Sequence, residues 1–217
     1  MTYYVVIPAY NEAGRISQTI EKVKKFTNQI IVVDDGSKDS TYSEAKKCEV
    51  KVLRHAVNMG KGAALKTGCD YAIEQGALQL IVLDADGQHD PAEIPRFVEA
   101  LQRVEIAFGK RRQSASMPVV FKFGNKVITK TLKLLYNIEV NDSQCGYRAF
   151  NKEAYQKVRW AVNDYFMETE MIVNAGKHHL RSEQLDIETI YADKYKGTTI
   201  FDGVKIVGKM FAWRLFK

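Results

Sequence analysis

Short apolar runs and stretches of helical periodicity alternate along the first half of the chain. Tyr3 to Pro8, Gln29 to Val33, Val50 to Leu53, Leu80 to Leu83 and Ile106 to Gly109 are apolar on most residues, the pattern of buried strands. Pro8 closes the first because its ring fixes φ and removes a backbone donor. From Arg15 to Phe26, Ile16, Ile20 and Val23 recur at helical spacing with charges between them, which predicts an amphipathic helix lying on a sheet. Ser40 and Thr41 can cap a second helix through about Cys48. The loop Asn58 to Gly62 opens a third through about Glu74, and Pro91 sits in the first turn of a fourth that ends near Leu101. Strand, helix, strand in succession is a parallel crossover, so the chain reads as α/β with a mostly parallel central sheet flanked by helices.

Two later stretches have another character. In 121–136, Lys122, Lys126, Lys130 and Lys133 form one stripe of a helix whose other positions include Phe121, Val127, Ile128, Leu132, Leu134 and Leu135. A core helix with a solvated lysine face and a helix lying in an anionic membrane interface both fit this pattern. The stretch 204–217 repeats it, with Ile206, Met210, Phe211 and Trp213 beside Lys205, Lys209 and Arg214, and the repetition favours the membrane surface. These would be amphipathic helices outside the core. No apolar run approaches the ~20 residues that span a bilayer, and no signal peptide opens the chain. A single domain over 1–217 is expected, cytoplasmic and peripheral on the cytoplasmic face of a membrane. The cysteines, Cys48, Cys69 and Cys145, lack a paired metal spacing and read as reduced packing residues. A formal charge of +6 calls for an anionic partner. The basic residues are not interleaved with a nucleic-acid motif, so no nucleic acid is expected.

The densest chemistry lies in 80–91, LIVLDADGQHDP. Residues two apart on an extended chain point to one side, so Asp84 and Asp86 can converge on one cation with the side-chain oxygen of Gln88 nearby. Oxygen-only ligands suit a hard ion, Mg2+ or Mn2+, and the carboxyl edge of a sheet is where open α/β folds bind ligands. A solvated acidic turn closing a strand would look the same at this length. Lys110, Arg111 and Arg112 end the next strand on that rim, as a solvated edge or as binders of phosphate. In Asn58 to Gly62 the glycines admit close backbone approach to a ligand and the helix start attracts phosphate, with Lys61 adding charge, although the spacing is not that of a P-loop. Asp142 to Phe150 reads as a turn with one buried ion pair, and Glu168 and Glu170 as a solvated helix start. The histidines show no metal-ligand spacing.

VVIPAYNEA at 5–13, IIVVDDGSKDST at 30–41, NMGKGAALKTG at 58–68, VLDADGQHDP at 82–91, FGKRR at 108–112 and DSQCGYRAF at 142–150 follow one another in order. Together they resemble the family 2 glycosyltransferases, and within them the dolichyl-phosphate or polyprenyl-phosphate mannose and glucose synthases. The resemblance implies a GT-A fold and inverting, metal-dependent transfer of a hexose. The implied donor is a nucleotide-sugar, GDP-mannose or UDP-glucose, and the implied acceptor a polyprenyl phosphate. Residue by residue it implies that Pro8, Tyr10, Glu12 and Val33 line the nucleoside pocket and that Asp35 holds base or ribose. Asp84, Ala85 and Asp86 would meet the donor, with Asp84, Asp86 and Gln88 carrying the metal on its diphosphate, and Arg111 would grip phosphate. Lys194 matches one basic residue of the family's C-terminal loop, whereas nothing around Thr199 matches its companion. Several relatives carry transmembrane helices after the catalytic domain. Attachment here is expected through surface helices or a separate membrane-anchor protein.

A leaving nucleoside diphosphate builds negative charge that a divalent ion and Arg111 would stabilise. A lipid phosphate, with a second pKa near ~6, is already anionic at neutral pH and needs no strong base. Arg112, Lys122 and Arg148 are expected to receive it. A hydroxyl of a soluble or cell-wall glycan would instead need a carboxylate base, Asp142 or Glu168. A non-catalytic membrane-surface binding module is the remaining reading, resting on the basic amphipathic segments alone.

Overall fold

The computed structural model describes residues 2–112, 119–136, 138–163, 166–188 and 200–216, with the backbone alone for 119–124, 200–204 and 215–216. Seven strands form one sheet: β1 (Tyr3–Ala9), β2 (Ile30–Asp34), β3 (Lys51–Arg54), β4 (Gln79–Val82), β5 (Ile106–Arg111), β6 (Arg148–Asn151) and β7 (Ser182–Ile187). Their order across the sheet is β3-β2-β1-β4-β6-β5-β7. Every described pairing is parallel except those of β6, which runs against both β4 and β5. The expected strands are therefore present. β6 and β7 add to them: the first has four residues, and the second, at the sheet edge, buries only Leu185 and Ile187.

Helices cover both faces. On one, α1 (Ile16–Lys24), α2 (Thr41–Lys47) and α4 (Ile94–Ala100) pack Ile16, Ile20, Val23, Ala45, Ile94 and Phe97 against Val5, Ile7, Val32 and Ile81. Each of the Val, Ile and Phe side chains among them contributes about 1.5–3 kcal/mol by leaving water. A 3-10 turn, Pro91–Glu93, precedes α4, and the Asp90 carboxylate accepts from the Ala92 amide at 3.0 Å. The helix expected from Pro91 is thus split into two pieces.

The other face carries α3 (Lys61–Glu74), α5 (Val119–Tyr136), α6 (Lys152–Val158), α7 (Met167–Lys177) and α8 (Ile200–Phe216). Ile128 and Leu132 of α5 and Ile206 and Met210 of α8 belong to the core on this face. The two basic amphipathic helices are anchored to the core along one side rather than standing wholly outside it. They pack on each other, and the Tyr136 hydroxyl donates to the Met210 carbonyl at 2.7 Å. Their outer sides keep Val127, Leu134 and Phe211 exposed beside Lys126, Lys130 and Lys205. Among the described residues no helix is long and apolar enough to cross a membrane. All three cysteines are buried and free, as expected.

Candidate active site

Parallel strands β1, β2 and β4 deliver their carboxyl ends to one edge, and the acidic turn follows β4 there. Asp84 does not project freely. Its Oδ1 lies 2.7 Å from Lys61 Nζ, and its backbone amide donates to His89 Nδ1 at 3.1 Å. His89 is therefore a neutral acceptor at Nδ1, in keeping with a pKa that burial pushes down to about 4. Burial opposes ionisation of Asp84, yet Lys61 outweighs it and holds the carboxyl below its ordinary range. Asp86 goes the other way: burial, and then the Asp84 charge, push it up to about 6. Its Oδ1 accepts from the Gln88 amide at 3.0 Å, and Glu12 adds further negative charge nearby.

Lys61 reaches this position from the first residue of α3. Its Nζ also lies 3.0 Å from Glu168 Oε1, on a side chain of α7 that is only 4% exposed. Burial alone would discharge the ammonium, but Asp84 and Glu168 raise its pKa. The loop before it is fastened on several sides. Asp35 accepts from the Met59 and Gly60 amides at 2.9 and 2.8 Å and from His55 Nδ1 at 2.7 Å. The Gly62 amide donates to the Asn163 carbonyl at 2.8 Å, and Trp160 Nε1 donates to the Gly62 carbonyl at 2.8 Å. A Cβ on Gly62 would stand 2.7 Å from the Val162 carbonyl oxygen. The close approach foreseen from these glycines is thus to another part of the chain, the segment 160–163. Glu170 holds that segment in turn, accepting from the Ala161 and Val162 amides at 3.1 Å each. Glu168 and Glu170 are buried pairing groups, not a solvated helix start.

Across the rim, Arg111 Nε and Nη2 donate to Asp142 Oδ2 and Oδ1 at 2.7 and 2.9 Å. The Arg111 and Gln144 amides also donate to that carboxylate, at 3.2 and 3.1 Å. Burial opposes its charge, but Arg111 keeps the Asp142 pKa low. Asp142, expected as a base, is corrected to the group that fixes Arg111: both its oxygens are taken and its basicity is reduced. Arg111 itself is close enough for its charge to act on Asp84 and His89.

Arg148 is the plainest correction. Expected to receive an acceptor phosphate, it is 1% exposed and donates to the carbonyls of Cys145, Glu168 and Ser143 at 3.0, 2.7 and 3.0 Å. Its guanidinium staples β6 to α7. Arg112 is on the rim, 63% exposed, with Glu188 at 3.5 Å. Lys122 lies in α5 with its side chain outside the described residues, and Lys194 lies outside them altogether.

On the nucleoside side, Tyr10 is exposed while Pro8 and Ala85 are buried. Val33 is fully buried in the core, and Asp35 spends its oxygens on the 59–60 amides and His55, so neither side chain lines an open pocket. Glu12 is buried, with its amide on Thr41 Oγ1 at 2.8 Å and its carboxylate 3.0 Å from Arg15. Sequence reasoning placed the acidic turn and Arg111 on one rim and missed the inward role of Lys61. The signal available was the Gly-Lys-Gly spelling, which marks a backbone under close approach without saying by what.

A mostly parallel sheet with an acidic turn at its carboxyl edge and helices on both faces is the GT-A architecture of glycosyltransferases. The profile of Glycosyl transferase family 2 matches residues 4–159, and the chain belongs to that family. It is 36% identical to an uncharacterized protein of Methanocaldococcus jannaschii, over 98% of this chain and 92% of that one. It is 32% identical to the UDP-N-acetylglucosamine–dolichyl-phosphate N-acetylglucosaminyltransferase of Methanococcus voltae, over 99% of this chain and 96% of the relative. Among solved structures, glucosyl-3-phosphoglycerate synthase from Mycobacterium tuberculosis with Mn2+, UDP-glucose and phosphoglyceric acid superposes with a TM-score of 0.76. It covers 100% of this chain and 80% of its own at 17% identity, a likeness of fold.

The fold family implies a divalent cation. Among the described residues no group of three or more His, Cys, Asp and Glu side chains has metal-holding geometry. The donor chemistry at Asp86 fits a hard ion all the same. Its partly exposed carboxylate is raised by burial and neighbouring negative charge, which is where added positive charge is most favourable.

Proposed function

We propose that the chain transfers a sugar from a nucleoside diphosphate donor to a polyprenyl phosphate at a membrane surface. The observation that carries the choice of acceptor is the state of the carboxylates that could serve as base. Asp142 has both oxygens on Arg111, and Glu168 is buried against Lys61. A hydroxyl acceptor would need a free carboxylate to take a proton, and the one left on the rim, Asp86, is given to the ion in this reading, whereas a phosphate monoester arrives already ionised. The names of full-length relatives, among them a dolichyl-phosphate transferase, support the same acceptor class.

In this reading Asp86, with Gln88 on the same turn, holds Mg2+ or Mn2+, which when bound supplies Lewis-acid neutralisation of the diphosphate. Arg111, oriented by Asp142, places a fixed positive charge on the same rim, where charge develops on the leaving oxygen. Tyr10 and the buried Pro8 and Glu12 shape the nucleoside side. Arg112, with Lys122, draws the acceptor phosphate to the rim, and Lys194 completes the donor side. The exposed Leu134 and Phe211, set among lysines, rest on an anionic bilayer and bring the site to its lipid substrate. The chain works at the cytoplasmic face, where nucleotide-sugars are found, on its own surface helices or beside a membrane-anchor protein.

The test offers GDP-mannose, UDP-glucose and UDP-N-acetylglucosamine, each with Mn2+ and a polyprenyl phosphate in vesicles. Labelled sugar is expected in the organic phase for one donor, and Asp86→Asn is expected to lower that transfer by at least about a hundredfold. Transfer confined to a water-soluble glycan in detergent-free buffer would overturn the acceptor assignment.

A further inference from the structure

We infer that Asn125 of α5 is a positioning residue, which fixes the Arg111 guanidinium by holding the backbone on both sides of Asp142. The inference rests on the reading of Arg111 given above. Residues 138–147, between α5 and β6, are in neither helix nor strand. Their amides and carbonyls have no ladder to join, and the buried ones must be met by other means. Asp142 is 5% exposed and Ser143 not at all.

Asn125 Nδ2 donates to the Asn141 carbonyl at 3.1 Å, while its Oδ1 accepts from the Ser143 amide at 3.1 Å and from Ser143 Oγ at 3.0 Å. A primary amide carries donor and acceptor on one plane, so a single side chain brackets Asp142 from both sides. The outer groups of the same two residues go elsewhere: the Asn141 amide to Gln184 Oε1 at 2.7 Å and the Ser143 carbonyl to Arg148 Nη2 at 3.0 Å. The two that belong to the peptide links flanking Asp142 are the ones Asn125 takes.

Asn125 reaches this place by continuing the inward stripe of α5. It stands three and seven residues before Ile128 and Leu132, both in the core. Where that packing meets the rim, the stripe ends in an amide. The contacts then run from helix to charge, since Asp142 takes Arg111 Nε and Nη2 at 2.7 and 2.9 Å. Without the amide the flanking peptides can rotate, and a rotated Asp142 carries the guanidinium away from the leaving oxygen. A misplacement of about 1 Å at a reacting centre costs up to about a hundredfold in rate.

Two measurements on the full chain test this, comparing wild type with Asn125→Ala. The first is hydrogen exchange of the Arg111 Nε–H by nuclear magnetic resonance, assigned with Arg111→Lys. The Trp160 Nε1–H, buried on the Gly62 carbonyl, is the control for general loosening. Exchange at Arg111 is expected to quicken by about tenfold while that at Trp160 stays unchanged. The second is turnover with the vesicle-borne acceptor, in the wild-type and Asp142→Asn backgrounds. Asn125→Ala is expected to lower kcat by at least about tenfold in the first and by less than about twofold in the second, where the ion pair it positions is already lost. An amide that only stabilised the fold would move Trp160 with Arg111 and lower turnover equally in both backgrounds. Either result overturns the inference, as does wild-type exchange at Arg111 or wild-type turnover in a folded Asn125→Ala. Should Asn125→Ala fail to fold, Asn125→Asp decides: it keeps the acceptor for Ser143 and loses the donor for Asn141, so wild-type exchange at Arg111 overturns the inference. Wild type that transfers sugar to no polyprenyl phosphate removes the reaction proposed above, and the exchange comparison then decides the positioning alone.

Discussion

At the scale of single residues, the charged groups of the site divide into those that face a ligand and those that hold the first kind still. Asp142 belongs to the second. Arg111 depresses its pKa, so the folded state gives up a proton that the unfolded chain keeps up to about pH 4. The pair's contribution is therefore complete above that pH and fades as pH falls through the lower folded value. Asp142→Asn is expected to cost about 3 kcal/mol at neutral pH, with the gap to wild type closing in urea titrations run toward pH 2. Arg148→Met is expected to cost a similar ~3 kcal/mol, since it leaves the carbonyls of Ser143, Cys145 and Glu168 unpaired, while the acceptor KM of the folded fraction stays unchanged. A raised KM would return Arg148 to the phosphate. The acidic turn was legible because carboxylates placed where a buried run stops need nothing beyond their neighbours, although residues 85 and 86 turn instead of continuing the extended chain on which Asp84 and Asp86 were expected to converge. Arg148 was not, because its acceptors Ser143 and Glu168 converge only when β6 and α7 meet.

At the scale of elements, the legible part was whatever carried its own periodicity. Strands β1 to β5 are apolar runs, helices α1 and α5 repeat at helical spacing and α3 follows its glycine loop, so each appears within a few residues of its expected bounds. β6 was hidden by its four-residue length, and β7 by polar positions at the sheet edge. The glycine-lysine loop was visible as unusual, but its counterpart, the segment 160–163, comes from about a hundred residues later. Gly62→Ala forces a Cβ against the Val162 carbonyl and the Asn163 backbone. The expected loss is about 1–3 kcal/mol, read as a lower Tm, with donor turnover falling because Lys61 moves with the loop. Stability equal to wild type would show that the 160–163 segment yields easily.

At the scale of the whole molecule, α5 and α8 join a core face to an outward one. Val127, Lys130 and Leu134 stand at i, i+3 and i+7, so apolar and basic groups share the outer side of α5. The double variant Leu134→Asp with Phe211→Asp is expected to lower co-sedimentation with anionic vesicles several-fold. Its Tm should match wild type, because both side chains are exposed. Unaltered co-sedimentation would remove this surface from the membrane reading. The global layout also has a feature that no local pattern announces, the one reversed strand among the described residues. β5 ends at the carboxyl edge with Arg111, and β6 begins at that edge with Arg148. The connection between them therefore leaves and re-enters the sheet on the same side, like a handle fixed at two points of one rim. Such a handle can be lengthened or shortened at its exposed stretches without rethreading a strand, provided that Asp142 and Gly146 keep their places against Arg111 and Asp84. One inherited donor-side chassis could in this way serve chemically different receivers, with diversification confined to the attachment.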